Sequence, residues 1–284
     1  MSGSRKIAVI GSGAFADSIV AALHHSPVHA LAGVSETGES IPDGAAMVLN
    51  LVTGSKQSAT LRKLAVAELP IATLPLTSSD AAAREALGSG RVVQVNPLRG
   101  FEALEAFRTD VRGGRAGTPY GMFAAHRVRQ GHADLFDSVG VPLLHFAFDL
   151  FDEPLVRVQT TRANLFGREG DAWFVIARGN NNLIVTIEFA ASLASSSPSD
   201  QQILLEATGT DGMLRVEPTR QVIQISGKDG GTHDVAWWPD DAPGFVDAAV
   251  QATDIHEPGR ELAFLDFVAA VRESAESGQT VELS

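Results

Sequence analysis

The residues with the clearest chemical capacity come first in this 284-residue chain. Gly11-Ser12-Gly13-Ala14-Phe15-Ala16 fits the pattern G-x-G-x-x-G/A. It follows the apolar run Lys6–Ile10 and precedes Ile19, Val20 and Leu23, which recur at helical spacing. Gly11 permits a tight turn, Gly13 leaves room for a pyrophosphate, and small Ala16 lets the helix pack closely on the strand. The first N–H groups of that helix, from Ala14 and Phe15 onward, have no intrahelical acceptor and suit a phosphate. Glu36 lies 23 positions beyond Gly13, at the end of a second apolar run, where its carboxylate would accept hydrogen bonds from adenosine ribose hydroxyls. An acid there repels a 2′-phosphate and no arginine follows it in SETGES, so NAD is expected and NADP is disfavoured.

Groups able to move a proton are few. His145 has Asp149 one helical turn ahead, so it reads either as an acid–base catalyst oriented by the carboxylate or as a buried structural pair. Pro142 suits the first turn of that helix, which would put His145 near its start. Tyr120, the one tyrosine, could protonate a developing alkoxide or pack against a turn in GTPYG. Asn96 and Arg99 follow the fifth strand, where open α/β sheets bind ligands, and are substrate-contact candidates. His126 is a third such candidate; with His132 it flanks Arg127 and Arg129, and the alternative reading is solvated charge at a strand edge. The basic stretches 108–115 and 126–132 read the same way. No histidine has a partner at metal-ligand spacing and there is no cysteine, so no catalytic metal is expected. Ser55 and Ser58 form no G-x-S-x-G, and Trp237-Trp238 suits packing.

These groups need a scaffold. Strand-like runs alternate with helical ones up to about residue 97, which predicts a doubly wound parallel sheet. Only ten residues separate Glu36 from the next run, 47–53, too few for a crossover helix, so one βα unit is trimmed away. From GMFAAHRVR onward the runs alternate with period two, including a hairpin at Gly-Asn-Asn, and predict an open, mostly antiparallel sheet with one helix at 141–151. A helix over 259–277 closes the chain and is expected to pack back toward the first domain. The domains are therefore 1–97 and 98–284, and SLASSSPSDQQ (192–202) is expected to be a mobile loop. A net charge of −12 argues against nucleic acid and anionic membranes as partners. No apolar run reaches bilayer length and no signal-peptide core is visible, so the expected location is cytoplasmic.

The glycine turn, LAGVSE, PIATLPLT, LLEATGTDGMLRVEP, FDEPLVRV and ELAFLDFVAAVRES, in that order, resemble the glucose–fructose oxidoreductase / inositol dehydrogenase (Gfo/Idh/MocA) family over nearly the whole chain. The resemblance implies a Rossmann domain joined to an α/β substrate domain on an open sheet. It also implies hydride transfer between a nicotinamide and a small polar molecule, and homodimers or homotetramers formed through that sheet. Thr53 and Pro75, at the carboxyl ends of the third and fourth strands, complete the expected cofactor set of Gly11, Gly13, Ala14, Phe15 and Glu36.

The departures bear on chemistry. Thr73-Leu74-Pro75 stands where the family has Glu-Lys-Pro, so the lysine that would bind the reacting oxygen falls on Leu74. Aligned through Asp152-Glu153-Pro154, the family's Asp-x-Gly-x-His-x-x-Asp run falls on Ser138, Gly140, Pro142 and His145. Two functions are therefore expected of such a chain. One is an NAD-dependent oxidoreductase acting on a C–OH, C=O or C=N group, with His145, Tyr120 or water moving the proton. The other is a redox-inactive relative, serving as a regulatory or complex subunit or as a non-redox lyase or cyclase.

Overall fold

The computed structural model describes residues 4–132, 134–218, 222–227, 231–234, 242–255 and 257–283. They cluster into two compact units, 1–100 with 239–266, and 101–238 with 267–284.

In the first unit, strands β1 (Lys6–Ile10), β2 (Ala30–Ser35), β3 (Met47–Asn50), β4 (Ile71–Thr73) and β5 (Val92–Gln94) pair in the order β2-β1-β3-β4-β5, all parallel. Strand β1 shows why the sequence reads as continuously apolar. Ile7 and Val9 enter one core while Ala8 and Ile10 enter another, so both faces of the sheet are buried. Helices α1 (Ala14–His25) and α6 (Ala242–Asp254) cover the first face through Ile19, Leu23, Phe245, Val246 and Val250. The second is covered by α2 (Gln57–Leu64) and α3 (Ala81–Gly88), with Leu265 from the first half of α7 (Pro258–Ser277). No helix joins β2 to β3, so β2 is an edge and one βα unit is absent, as its spacing predicts. Helix α6 was not anticipated, although Phe245, Val246, Ala249 and Val250 already carry its periodicity.

The second unit carries nine strands among the described residues: β6 (Pro119–Arg129), β7 (Leu155–Ala163), β8 (Ala172–Gly179), β9 (Ile184–Leu193), β10 (Gln201–Gly209), β11 (Gly212–Glu217), β12 (Val222–Gly227), β13 (Gly231–Asp234) and β14 (Val281–Glu282). Their order is β13-β12-β11-β10-β6-β9-β8-β7-β14, and only β6–β9 is parallel. One face packs on α4 (Glu102–Arg112) and on α5 (Val141–Leu150), which a π-helical turn at Phe136–Gly140 precedes. The later part of α7 belongs here too, Ser274 Oγ accepting from Thr160 N at 2.8 Å. The other face leaves Phe174, Ile176 and Ile184 exposed. The segment after β9 is tied down rather than loose, since Arg129 donates to the carbonyls of Ser195 and Ser197 and pairs with Asp200. Trp237-Trp238 and His256, together with the side chain of His233, lie outside the described residues.

Candidate functional site

In the first unit the chain turns at the carboxyl end of β1 with Gly11 at φ 136° and Gly13 at φ 100°, both in territory that L side chains avoid. Gly11 N donates to Ser35 O at 2.9 Å and Leu51 N to Ile10 O at 2.7 Å, so β1 stays paired with both neighbours up to the turn, where the strand order reverses. A Cβ on Gly11 would lie 3.1 Å from the Leu51 carbonyl carbon, which makes the turn tight. A Cβ on Gly13 would meet nothing within 4 Å, so the space over the helix start is open. Gly13 caps α1 with no side-chain acceptor, and the first N–H groups of α1, from Ala14 and Phe15, lie beside that space. Glu36 is exposed directly after β2, and Thr53 is exposed beyond β3. These features fit a pyrophosphate and a ribose. Phe15 is also structural, its ring 5.2 Å edge-on from Phe245.

The segment after β4 is buried and held by side-chain amides. Pro75 is buried, and Leu74 is 8% exposed with its side chain in the core cluster that includes Phe245. Past the end of a three-residue strand the backbone needs new partners. Gln57 Nε2 donates to Leu74 O (3.0 Å) and Pro75 O (3.3 Å), and Leu76 N donates to Gln94 Oε1 (2.7 Å). Asn50 Nδ2 donates to Thr73 Oγ1 at 3.0 Å. Sequence reasoning missed Gln57 and Gln94; Gln94 was signalled by its place inside the apolar run RVVQVN, whereas Gln57, in the polar stretch TGSKQSAT, carried no such signal. Asn96 is buried and accepts from Leu98 N at 2.9 Å, shaping the turn that carries half-buried Arg99.

In the second unit, Pro142 stands in the first turn of α5, as expected, with His145 one turn further on, and the π-helical turn at Phe136–Gly140 leads directly into that helix. His145 is buried at 8% exposure. Asp149 accepts from Arg108 Nε at 3.0 Å and faces Arg112, so its charge is answered by α4. Tyr120 is half-exposed in β6 rather than packed in a turn. His126 is not at a strand edge: β6 lies between β10 and β9, and the ring is 6% exposed. Its Nε2 meets Gln201 Oε1 at 3.0 Å, which places the proton on Nε2, while Nδ1 has no partner among the described residues. Burial pushes its pKa down to about 4, against the smaller opposing effect of Gln201. The basic stretches are not solvated loops either. Arg108, Arg115, Arg127 and Arg129 pair with Glu105 and Asp149, Asp110, Glu188 and Asp200. Among the described residues no three His, Asp or Glu side chains are grouped to hold a metal ion, and no helix is long and apolar enough to cross a membrane.

No family model and no curated protein matches the sequence. Solved structures do match. An oxidoreductase from Agrobacterium radiobacter, in complex with NAD+, L-tartaric acid and magnesium, superposes with a TM-score of 0.81 at 15% identity, covering 98% of each chain. GenD2 from gentamicin A biosynthesis, in complex with NAD, gives 0.77 at 15% identity, covering 100% of this chain and 97% of its own. A myo-inositol dehydrogenase from Corynebacterium glutamicum gives 0.76 at 18%, covering 99% of each. This chain therefore has the two-domain fold of the Gfo/Idh/MocA-type oxidoreductases.

Proposed function

We propose that the protein is an NAD-dependent oxidoreductase acting on a small polar substrate with a C–OH, C=O or C=N group. The observation that carries this reading is the glycine turn, with open space above Gly13 and exposed Glu36 beyond β2. The N–H groups of Ala14 and Phe15 would bind the pyrophosphate and Glu36 the ribose hydroxyls, with Thr53 and Pro75 completing the cofactor contacts. When bound, the nicotinamide supplies the hydride acceptor or donor. In alcohol oxidation the carbinol carbon gives up a hydride and its hydroxyl gives up a proton. That proton would pass to His145, Tyr120 or water, with Asp149 acting on His145 and with Asn96, Arg99 and His126 as substrate contacts. A cytoplasmic location and a homodimer or homotetramer through the exposed sheet face, around Phe174, Ile176 and Ile184, complete the reading. Titration with NADH and then NADPH, followed by nicotinamide fluorescence, tests it. Tighter binding of NADH is expected, and binding of neither at millimolar concentration would defeat the reading.

A second reading is favoured by one observation: Leu74, at the place of the family's lysine, is buried in the core and offers no proton. A redox-inactive subunit or a non-redox lyase or cyclase would bind NADH yet turn over no sugar, cyclitol, ketone or imine.

A further inference from the structure

The amide that holds the segment after β4 is itself held by a residue far along the chain. Leu76 N donates to Gln94 Oε1, and Gln94 is 3% exposed in β5, an edge strand of its sheet. A side-chain amide can turn over and offer its nitrogen where its oxygen stood. Here it is fixed one way round. Gln94 Nε2 donates to Glu261 Oε2 at 2.9 Å and to Glu261 O at 3.2 Å, and the same Oε2 accepts from Gln94 N at 3.0 Å. Glu261 stands half-buried in the first turn of α7, 167 residues beyond Gln94, and all of these groups belong to the first unit. Because Glu261 meets the amide with acceptors alone, the amide oxygen is the atom left to face Leu76.

We propose that Glu261 is a positioning residue for the cofactor: through Gln94 it fixes the backbone at Leu76 and so sets how Pro75 meets the nicotinamide half. This rests on the cofactor reading above. With the adenosine ribose at Glu36 beyond β2 and the pyrophosphate at the glycine turn beyond β1, the order β2-β1-β3-β4-β5 directs the rest of a dinucleotide over the ends of β3 and β4. The segment Leu74–Leu76 follows β4 directly. Leu74 N donates to Asn50 O at 3.2 Å, but Pro75 has no N–H, so Leu76 N is the next donor able to anchor the backbone. A buried N–H that loses its acceptor moves to find another, and here Pro75 would move with it.

Two probes separate positioning from mere stability: NADH, followed by nicotinamide fluorescence, and ADP, followed by calorimetry. ADP carries the adenosine and the pyrophosphate but not the nicotinamide riboside. Both titrations use the full chain, well below the melting temperature of each variant. Glu261→Ala is expected to weaken NADH by about tenfold and ADP by about twofold at most. Glu261→Gln, whose side-chain oxygen can take the place of Oε2, should stay within about threefold of wild type for NADH. Gln94→Met keeps the side-chain volume but gives Leu76 N no acceptor, so it should match Glu261→Ala, and the double variant should lose no more than either alone. Gln94→Met also carries the test if Glu261→Ala does not fold. Equal losses for NADH and ADP would reduce Glu261 to a structural role and overturn the proposal. So would wild-type NADH affinity in Glu261→Ala or Gln94→Met, additive losses in the double variant, or a Gln variant as weak as Ala. A wild-type protein that binds neither probe would instead defeat the cofactor reading, and the positioning role with it.

Discussion

Replacing Leu74 tests whether the place of the family's lysine has become part of the core. The side chain is 8% exposed and packs in the cluster that also holds Ala72, Val95, Ala242 and Phe245. Leu74→Ala removes three carbons, worth about 2.5 kcal/mol at ~0.8 kcal/mol per buried group. The residual cavity raises the expected loss to about 3–4 kcal/mol. For a unit of this size that lowers its Tm by about 10 °C. Leu74→Met keeps the volume and should cost less than about 1.5 kcal/mol. Leu74→Lys should cost at least as much as alanine, since its ammonium would enter an apolar cluster unless the stem snorkels out. Circular dichroism melts give the global loss, and amide exchange along α6 reports the first unit separately, because a two-unit chain need not melt in one step. A Leu74→Ala protein within 0.5 kcal/mol of wild type, about 1 °C in Tm, would refute the core assignment. A Lys variant of wild-type stability would show that the position opens to solvent.

Gly13→Ala should separate binding from folding. The new Cβ meets no protein atom, so the loss is the backbone cost at φ 100°, about 1–2 kcal/mol, whereas NADH affinity should fall more than tenfold; affinity within threefold of wild type would contradict the proposed pyrophosphate site. Gln57→Ala strips the donor from the carbonyls of Leu74 and Pro75 and should cost about 1–3 kcal/mol in a thermal melt, with Gln57→Glu no better because it cannot donate when ionised. His126 is held neutral with a folded pKa of about 4 against 6.5 unfolded. Below pH 6.5 the unfolded chain gains a proton that the folded one refuses. Stability is therefore complete above 6.5 and falls by up to about 3 kcal/mol towards pH 4, and His126→Gln should flatten that part of the urea-midpoint profile.

Local signals carried most of the fold into the sequence. The glycine turn is legible because strand, turn and helix start lie within eleven residues, and the missing crossover because ten residues cannot build one. The antiparallel unit is legible through alternation, and β6 shows where that reading fell short. Met122, Ala124 and Val128 occupy the buried phase of the strand, and His126 shares it, so its burial was implicit in the period even though the neighbouring arginines suggested solvent. What stayed hidden depends on distant partners. Asp149 also accepts from Arg108, 41 residues earlier, a partner that no local pattern announces. Nothing near Leu74 announces that Phe245, far along the chain, will pack in the same core as its side chain.

The discontinuity of the first unit has a consequence for synthesis. Its sheet is complete by Gln94, but one face carries only α1 until Phe245, Val246 and Val250 are made, and the other lacks Leu265. The ribosome must therefore add about 150 further residues, the long-range strands of the second unit among them, before the first can close. At ~5–20 residues per second that leaves an apolar sheet exposed for roughly ten to thirty seconds. A 1–100 fragment should bind hydrophobic dyes and lack fixed side-chain signals, whereas adding 242–266 in trans or by fusion should restore them.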